Sequence, residues 1–268
     1  MSSALRGKRV VNTRALHQAC QLDLLLERRG AVPLSYPCIA IEPPEDFGPL
    51  DQALRNLVQG SFTWVAFSSA NAAHAIATRL ETLGMKRTLP AGVLIAAVGP
   101  ATARAVLDSF GRSPRIIPGR HDGTALAFAM PIKPGETVLA PGSDIARSEL
   151  AEILGEKGAR VTSIVAFRTA AGSGGVDMPL KLRERGVDAI TFSSPSAVEG
   201  FFERLSRSGL DVASLARIPV ACIGDTTRET AERFGLAAHS ASSQSLDGML
   251  DLLEWLFVPV GSGGTAWS

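Results

Sequence analysis

Apolar positions along the chain fall in short runs that alternate with stretches of helical spacing. Val10 and Val11 head a strand that stops at Thr13-Arg14, and Leu22, Leu25 and Leu26 then share one helix face, with Gly30 placed to cap it. Further strands are expected at 32–36, 62–67, 92–98, 114–117, 137–140, 161–167, 187–192 and 218–223, and near 237–239. Residues 38–41 read as an extended connector before Pro43-Pro44. Helical spacing covers 50–57, 70–83, 101–110, 124–129 and 246–257, with further helices after Asp144, Ser194 and Gly224. Gly172 to Gly175 suggests a flexible crossing. Strands alternating with helices at this spacing predict an α/β protein, with parallel sheets covered by helices on both faces.

One pattern occurs twice. Phe67-Ser68-Ser69-Ala70-Asn71-Ala72 and Phe192-Ser193-Ser194-Pro195-Ser196-Ala197 each follow an apolar run and open a helix. A second apolar run then ends in Gly99 or Gly224, at the same distance from the Phe in both copies. Threonines follow each glycine: Thr102 in the first copy, Thr226 and Thr227 in the second. The 137–167 stretch likewise parallels 10–36, with a strand, a helix, Gly-Ala and a return strand. Two similar α/β domains facing one ligand are the expected arrangement.

Composition narrows the chemistry. The 268 residues suit two domains, and a formal net charge of +1 argues against a nucleic-acid partner. No run is long and apolar enough for a membrane span, and the N-terminus has no signal-peptide core, so the cytoplasm is expected. Cys20, Cys38 and Cys222 are scattered and odd in number, which favours neither a disulfide framework nor a zinc site. The four histidines show no metal spacing and read as surface or loop residues, His17 alone lying near a strand end. A Walker lysine loop and a dinucleotide glycine fingerprint are both missing.

In open parallel sheets ligands bind where strands pass into helices. The candidate binding residues sit there: Thr13, Arg14, Ser68, Ser69, Gly99, Thr102, Ser143, Arg147, Ser193, Ser194, Ser196, Gly224, Thr226 and Thr227. Each group is expected at a helix N-terminus, where free N–H groups and the helix dipole favour an anion. The competing reading is that Ser69 and Ser194 only cap their helices. Asp225 adds negative charge beside one of these positions and should weaken anion binding there unless Arg228 offsets it.

Together, Thr13-Arg14 with Gln18 and Gly30-Ala31, the two Phe-Ser-Ser segments, and 97–102 resemble the uroporphyrinogen-III synthase family. Gly142-Ser143-Asp144 with Arg147, Phe167-Arg168-Thr169, and Ile223-Gly224 with Thr226-Thr227 extend the resemblance. It implies two flavodoxin-like parallel-sheet domains joined by a two-stranded connector. The first would comprise 1–36 plus 173–258 and the second 41–166. The connector strands would be 37–40 and 167–172, with a disordered tail at 259–268. It also implies cyclisation of hydroxymethylbilane, a linear polycarboxylate, with loss of water and inversion of the last ring. No metal or organic cofactor is implied. Hydroxymethylbilane synthase would be a transient partner, a membrane partner is not expected, and the chain is expected to be a monomer. A non-catalytic tetrapyrrole-binding paralogue is the alternative. The family usually has a tyrosine where this chain has Phe167, and often an arginine at Gly142. Phe167 has no proton to donate, so the step would rely on water or another donor; Tyr36, the single tyrosine, is a candidate replacement, with packing as its competing role.

Overall fold

The computed structural model of the chain describes residues 3–207, 209 and 212–258, and the tail expected at 259–268 lies outside them. In order, the first elements are β1 (Arg9–Asn12), α1 (Leu16–Arg28), β2 (Val32–Ser35), β3 (Ile39–Glu42) and α2 (Gly48–Val58). Next come β4 (Trp64–Phe67), α3 (Ala70–Thr82), β5 (Leu94–Ala97), α4 (Pro100–Phe110) and α5 (Gly123–Ala129). Then follow β6 (Thr137–Ser143), α6 (Glu149–Glu156), β7 (Arg160–Ala171), α7 (Met178–Arg183), β8 (Ala189–Phe192) and α8 (Pro195–Ser206). The last are β9 (Val220–Cys222), α9 (Asp225–Arg233), β10 (Ala238–Ser240) and α10 (Leu246–Phe257).

The elements divide into two compact units. One runs to Ala40 and resumes at Ala170; the other spans Ile41 to Thr169. The first unit's sheet has the order β10-β9-β8-β1-β2, with β1 paired in parallel to both β2 and β8. That is the 2-1-3-4-5 order of flavodoxin-like sheets. The second sheet, β3-β7-β6-β4-β5, repeats it from a different starting point. There β6 lies between β7 and β4, and β5 lies outside β4. Ile116 bridges Ala96 beyond β5. The strand expected at 114–117 is reduced to this one bridge. Pro114 lacks an N–H and Pro118 follows two residues after Ile116, so too few donors remain for a ladder.

The central strands explain the apolar runs. All four residues of β4 (Trp-Val-Ala-Phe) and of β8 (Ala-Ile-Thr-Phe) are buried, as a strand covered on both faces requires. In the first unit Phe192 meets Phe201 edge-on at 5.4 Å, Phe201 meets Phe202 at 5.7 Å, and Phe202 stacks on Phe234 at 4.5 Å. This row ties β8, α8 and the end of α9 into one core, and each fully buried ring contributes about 1.5–3 kcal/mol.

The glycine-rich crossing is not loose. Gly172 N donates to Cys38 O at 3.1 Å and Val176 N to Ser35 O at 2.8 Å. A methyl group added at Gly172, Gly175 or Gly200 would stand 2.2 Å from the carbonyl oxygen of Pro37, Ser35 or Cys38, respectively. Three glycines thus let neighbouring backbone pack directly onto 35–38. Arg204 stacks on Tyr36, its Cζ 3.7 Å from the ring centroid, while donating to Pro37 O and to Gly174 O.

Two helix glycines should therefore respond oppositely to alanine. Gly155 in α6 faces open space, so Gly155→Ala should stabilise by about 0.5–1 kcal/mol through helix propensity. Gly200→Ala in α8 should destabilise by about 1–3 kcal/mol through overpacking on Cys38 O. Urea midpoints of the two variants test this, and a stabilised Gly200→Ala would refute the close contact.

Candidate functional site

Every registered pair within each sheet being parallel, the strand ends of one unit open on a common edge. In the first unit that edge starts at Asn12 and Thr13, both 0% exposed. Thr13 Oγ1 donates to Thr191 O and Thr191 Oγ1 donates to Val11 O, both at 2.7 Å. The Thr13 hydroxyl, expected to meet a ligand, is instead part of a strap across β1 and β8. Asn12 Nδ2 donates to Ala19 O at 3.0 Å and to Asp23 at 2.8 Å, fastening the strand end to α1. Its Oδ1 accepts from Arg14 N at 3.1 Å.

That frame fixes the position of Arg14. Its Nε is buried and has no hydrogen-bond partner among the described residues. Burial pulls its pKa below the usual arginine value, though arginine starts so high that the guanidinium stays charged. An unsatisfied buried donor costs about 1–3 kcal/mol, a cost that a bound carboxylate would offset.

The two Ser-Ser segments behave alike. Ser69 Oγ accepts from Ala72 N at 3.2 Å and Ser194 Oγ from Ala197 N at 3.1 Å, so both cap their helices. Ser194 Oγ also meets Ser196 Oγ at 3.0 Å. Ser68 and Ser193, half-buried at the strand ends, carry no side-chain hydrogen bond to the described residues.

The glycine positions differ from the serine ones. Gly99 and Gly224 are the N-caps of α4 and α9, extended at φ −172° and −170°, and neither helix start receives a side-chain cap. Such φ values suit any residue, so these glycines serve close approach. A methyl at Gly99 would lie 3.0 Å from His121 Cγ, and one at Gly224 would lie 2.9 Å from the Gln244 side-chain nitrogen. In the sequence His121 reads only as a surface or loop histidine and Gln244 is not singled out; the available signal is their matching place just before α5 and α10. Thr102 and Thr227 are nearly enclosed, at 4% and 3% exposure, while Thr226 is exposed.

One expected helix N-terminus is absent. Strand β6 continues through Pro141 to Ser143, with a bulge between Gly142 and Ser143, and α6 starts only at Glu149. Asp144 replaces ladder partners here: its N donates to Phe167 O at 3.2 Å and its Oδ1 accepts from Thr169 N at 2.9 Å. Ser143 is therefore a strand-end residue, and Arg147 lies exposed in the loop before α6.

Phe167, on β7, is 6% exposed and belongs to the core with Leu139, Ile164 and Ala166. Tyr36 is 4% exposed, edge-on to Phe201 at 5.7 Å, with its pKa raised chiefly by burial. It lines an open cavity of about 330 Å³ together with Asp177, Arg204 and Arg207. Among the described residues no group of three or more His, Cys, Asp or Glu could hold a metal ion. None of their helices is long and apolar enough to cross a membrane. The strand ends offer neutral donors, helix N-termini and a few arginines. Such a set can hold and orient anions.

Comparison with known proteins identifies the family. A family model described as uroporphyrinogen-III synthase HemD matches residues 21–251. The chain is 30% identical over 257 residues to a uroporphyrinogen-III synthase of Synechococcus elongatus, covering 93% of this chain and 96% of that one. It is 28% identical over 259 residues to the porphyrin biosynthesis protein HemD of Ruminiclostridium josui, covering 94% of this chain. The match takes in 49% of that protein, so the chain spans about half the length of this relative. In fold it is similar to a crystal structure of a mutant uroporphyrinogen III synthase from the extremely thermophilic bacterium Thermus thermophilus. That likeness has a TM-score of 0.63 at 22% identity, over 93% of this chain and 98% of that one.

Because Arg14 Nε has no hydrogen-bond partner among the described residues, Arg14→Met should leave the Tm of the ligand-free protein unchanged or slightly raised. The same variant should lose much of the Tm increase that a polycarboxylate such as uroporphyrin III gives to the parent protein. Calorimetry reads both, and a drop of several degrees without ligand would mean that Arg14 supports the fold itself.

Proposed function

The chain belongs to the uroporphyrinogen-III synthase family, and we propose that it closes hydroxymethylbilane into uroporphyrinogen III, with loss of water and inversion of the last pyrrole ring. It does so as a monomer, on substrate released by hydroxymethylbilane synthase. The observation that carries this reading is the buried, unpartnered Arg14 Nε at a strand end. Such a group is suited to a carboxylate, and this substrate is rich in them.

Arg14 takes one carboxylate, and the half-buried hydroxyls of Ser68 and Ser193 donate to others. Ser69, Ser194 and Ser196 shape the helix starts beside them. The α4 start, with Gly99 and Thr102, offers uncapped N–H groups; Gly224, Thr226 and Thr227 form the related start of α9. Ser143 and Arg147 extend the donor set at the end of β6. Thr13 acts indirectly, by holding the β1–β8 edge in register. His121 and Gln244 flank the two glycine starts.

Departure of the substrate hydroxyl leaves a reactive azafulvene, and closure through a spiro intermediate gives the inverted isomer. Holding the chain in the folded geometry for that closure is catalysis by positioning, which requires no strong acid–base pair. Phe167 shapes the core behind the β7 end and transfers no proton. Tyr36, clamped between Arg204 and Phe201, is likewise assigned a packing role.

A coupled reaction of porphobilinogen, hydroxymethylbilane synthase and this protein tests the reading through the ratio of uroporphyrin I to III. Mostly isomer III is expected; isomer I alone from folded protein would overturn the activity. In the same assay Tyr36→Phe should keep kcat within about threefold. A general acid would cost about 10²–10⁴-fold, so a loss of that size would restore Tyr36 as the donor.

A further inference from the structure

The cavity beside Tyr36 is lined only by residues of the first unit, and it gathers polar groups that the ring closure does not use. Arg204 is half-buried there. Among the described residues it meets the Tyr36 ring and the carbonyls of Pro37 and Gly174, but no carboxylate. A guanidinium has five N–H donors, so two carbonyls leave others open. Asp177 lines the same cavity, caps α7 by accepting from Leu180 N at 3.0 Å, and forms no ion pair among the described residues. Arg207 also lines it but is already paired with Glu203 at 2.5 Å.

The third group is the Tyr36 hydroxyl. The residue is 4% exposed, yet its oxygen is not sealed off and has no hydrogen bond to the described residues. Burial raises its pKa most, Arg204 opposes this, and Cys38 and Asp177 add to it. The hydroxyl therefore stays protonated at neutral pH and is a donor. Val176 and Pro179 supply an apolar wall.

A cation and an anion that share a cavity of about 330 Å³ without pairing suit a ligand that carries both charges. We infer that this cavity binds a small zwitterion, an aminocarboxylate whose carboxylate meets Arg204 and the Tyr36 hydroxyl and whose ammonium meets Asp177. Its carbon chain lies along Val176 and Pro179. The bound ligand joins α8, residue 36 and the 173–177 crossing, and so stabilises the first unit by linkage. This site stands apart from the proposed activity, because Arg204 and Asp177 belong to no donor group assigned to the polycarboxylate.

Ligand-observed NMR with 4-aminobutanoate, butanoate and butylamine at matched ionic strength tests the site. The parent should bind 4-aminobutanoate at least about threefold more tightly than either singly charged probe. Tyr36→Phe, which keeps the ring between Arg204 and Phe201, should weaken that binding about three- to tenfold. Asp177→Asn, which keeps the α7 cap, should bind 4-aminobutanoate no better than butanoate. Equal binding of the three probes, no binding of 4-aminobutanoate, or parent-like binding by either variant would overturn the inference. Competition between uroporphyrin III and 4-aminobutanoate would also overturn it, by making the cavity part of the substrate site.

Discussion

Covering a parallel sheet on both faces is the constraint from which the rest of this protein follows. It leaves β4 and β8 no side with access to water, so their residues are apolar or internally satisfied. Thr191 is the instructive exception: its hydroxyl survives in a buried strand by donating to Val11 O, while its carbonyl accepts from Thr13. Polar chemistry is therefore displaced to the carboxyl ends of the strands. There the helices begin, and their unpaired N–H groups add to whatever side chains the loops provide.

At that edge serine and glycine divide the work. Ser69 and Ser194 satisfy one helix donor each and make their starts self-sufficient. Gly99 and Gly224 provide no side-chain cap, and the absence of a side chain lets His121 or Gln244 come against the backbone. A helix start closed by serine is satisfied within the fold, and one opened by glycine keeps its first N–H groups without a side-chain cap.

The architecture was readable in the sequence wherever periodicity and punctuation agreed. The Phe-Ser-Ser repeats, the glycine caps and the bounds of α10 all follow from local rules. Three features did not. Pro141-Gly142 has the composition of a turn, yet β6 passes through it because Asp144 reaches across to β7 and replaces the missing ladder partners. Thr13 resembles a ligand donor, and only the β1–β8 register shows its hydroxyl used internally. Gly172 to Gly175 has the composition of a flexible linker, whereas its lack of side chains is what lets backbone close onto 35–38. In each case a long-range partner decided the outcome, and local sequence does not name partners.

The paired crossings also bear on cooperativity. The first unit is interrupted at Ala40 and resumes at Ala170, and the strands that leave and re-enter it, β3 and β7, are hydrogen-bonded neighbours. While the intervening unit is folded, it joins those two points as a short, stiff turn would. Once it unfolds, the same points are joined by a long random loop, whose closure carries an entropy cost of about 4 kcal/mol on the logarithmic scaling with length. The folded state of the inserted unit is thus part of the chain entropy of the unit it interrupts.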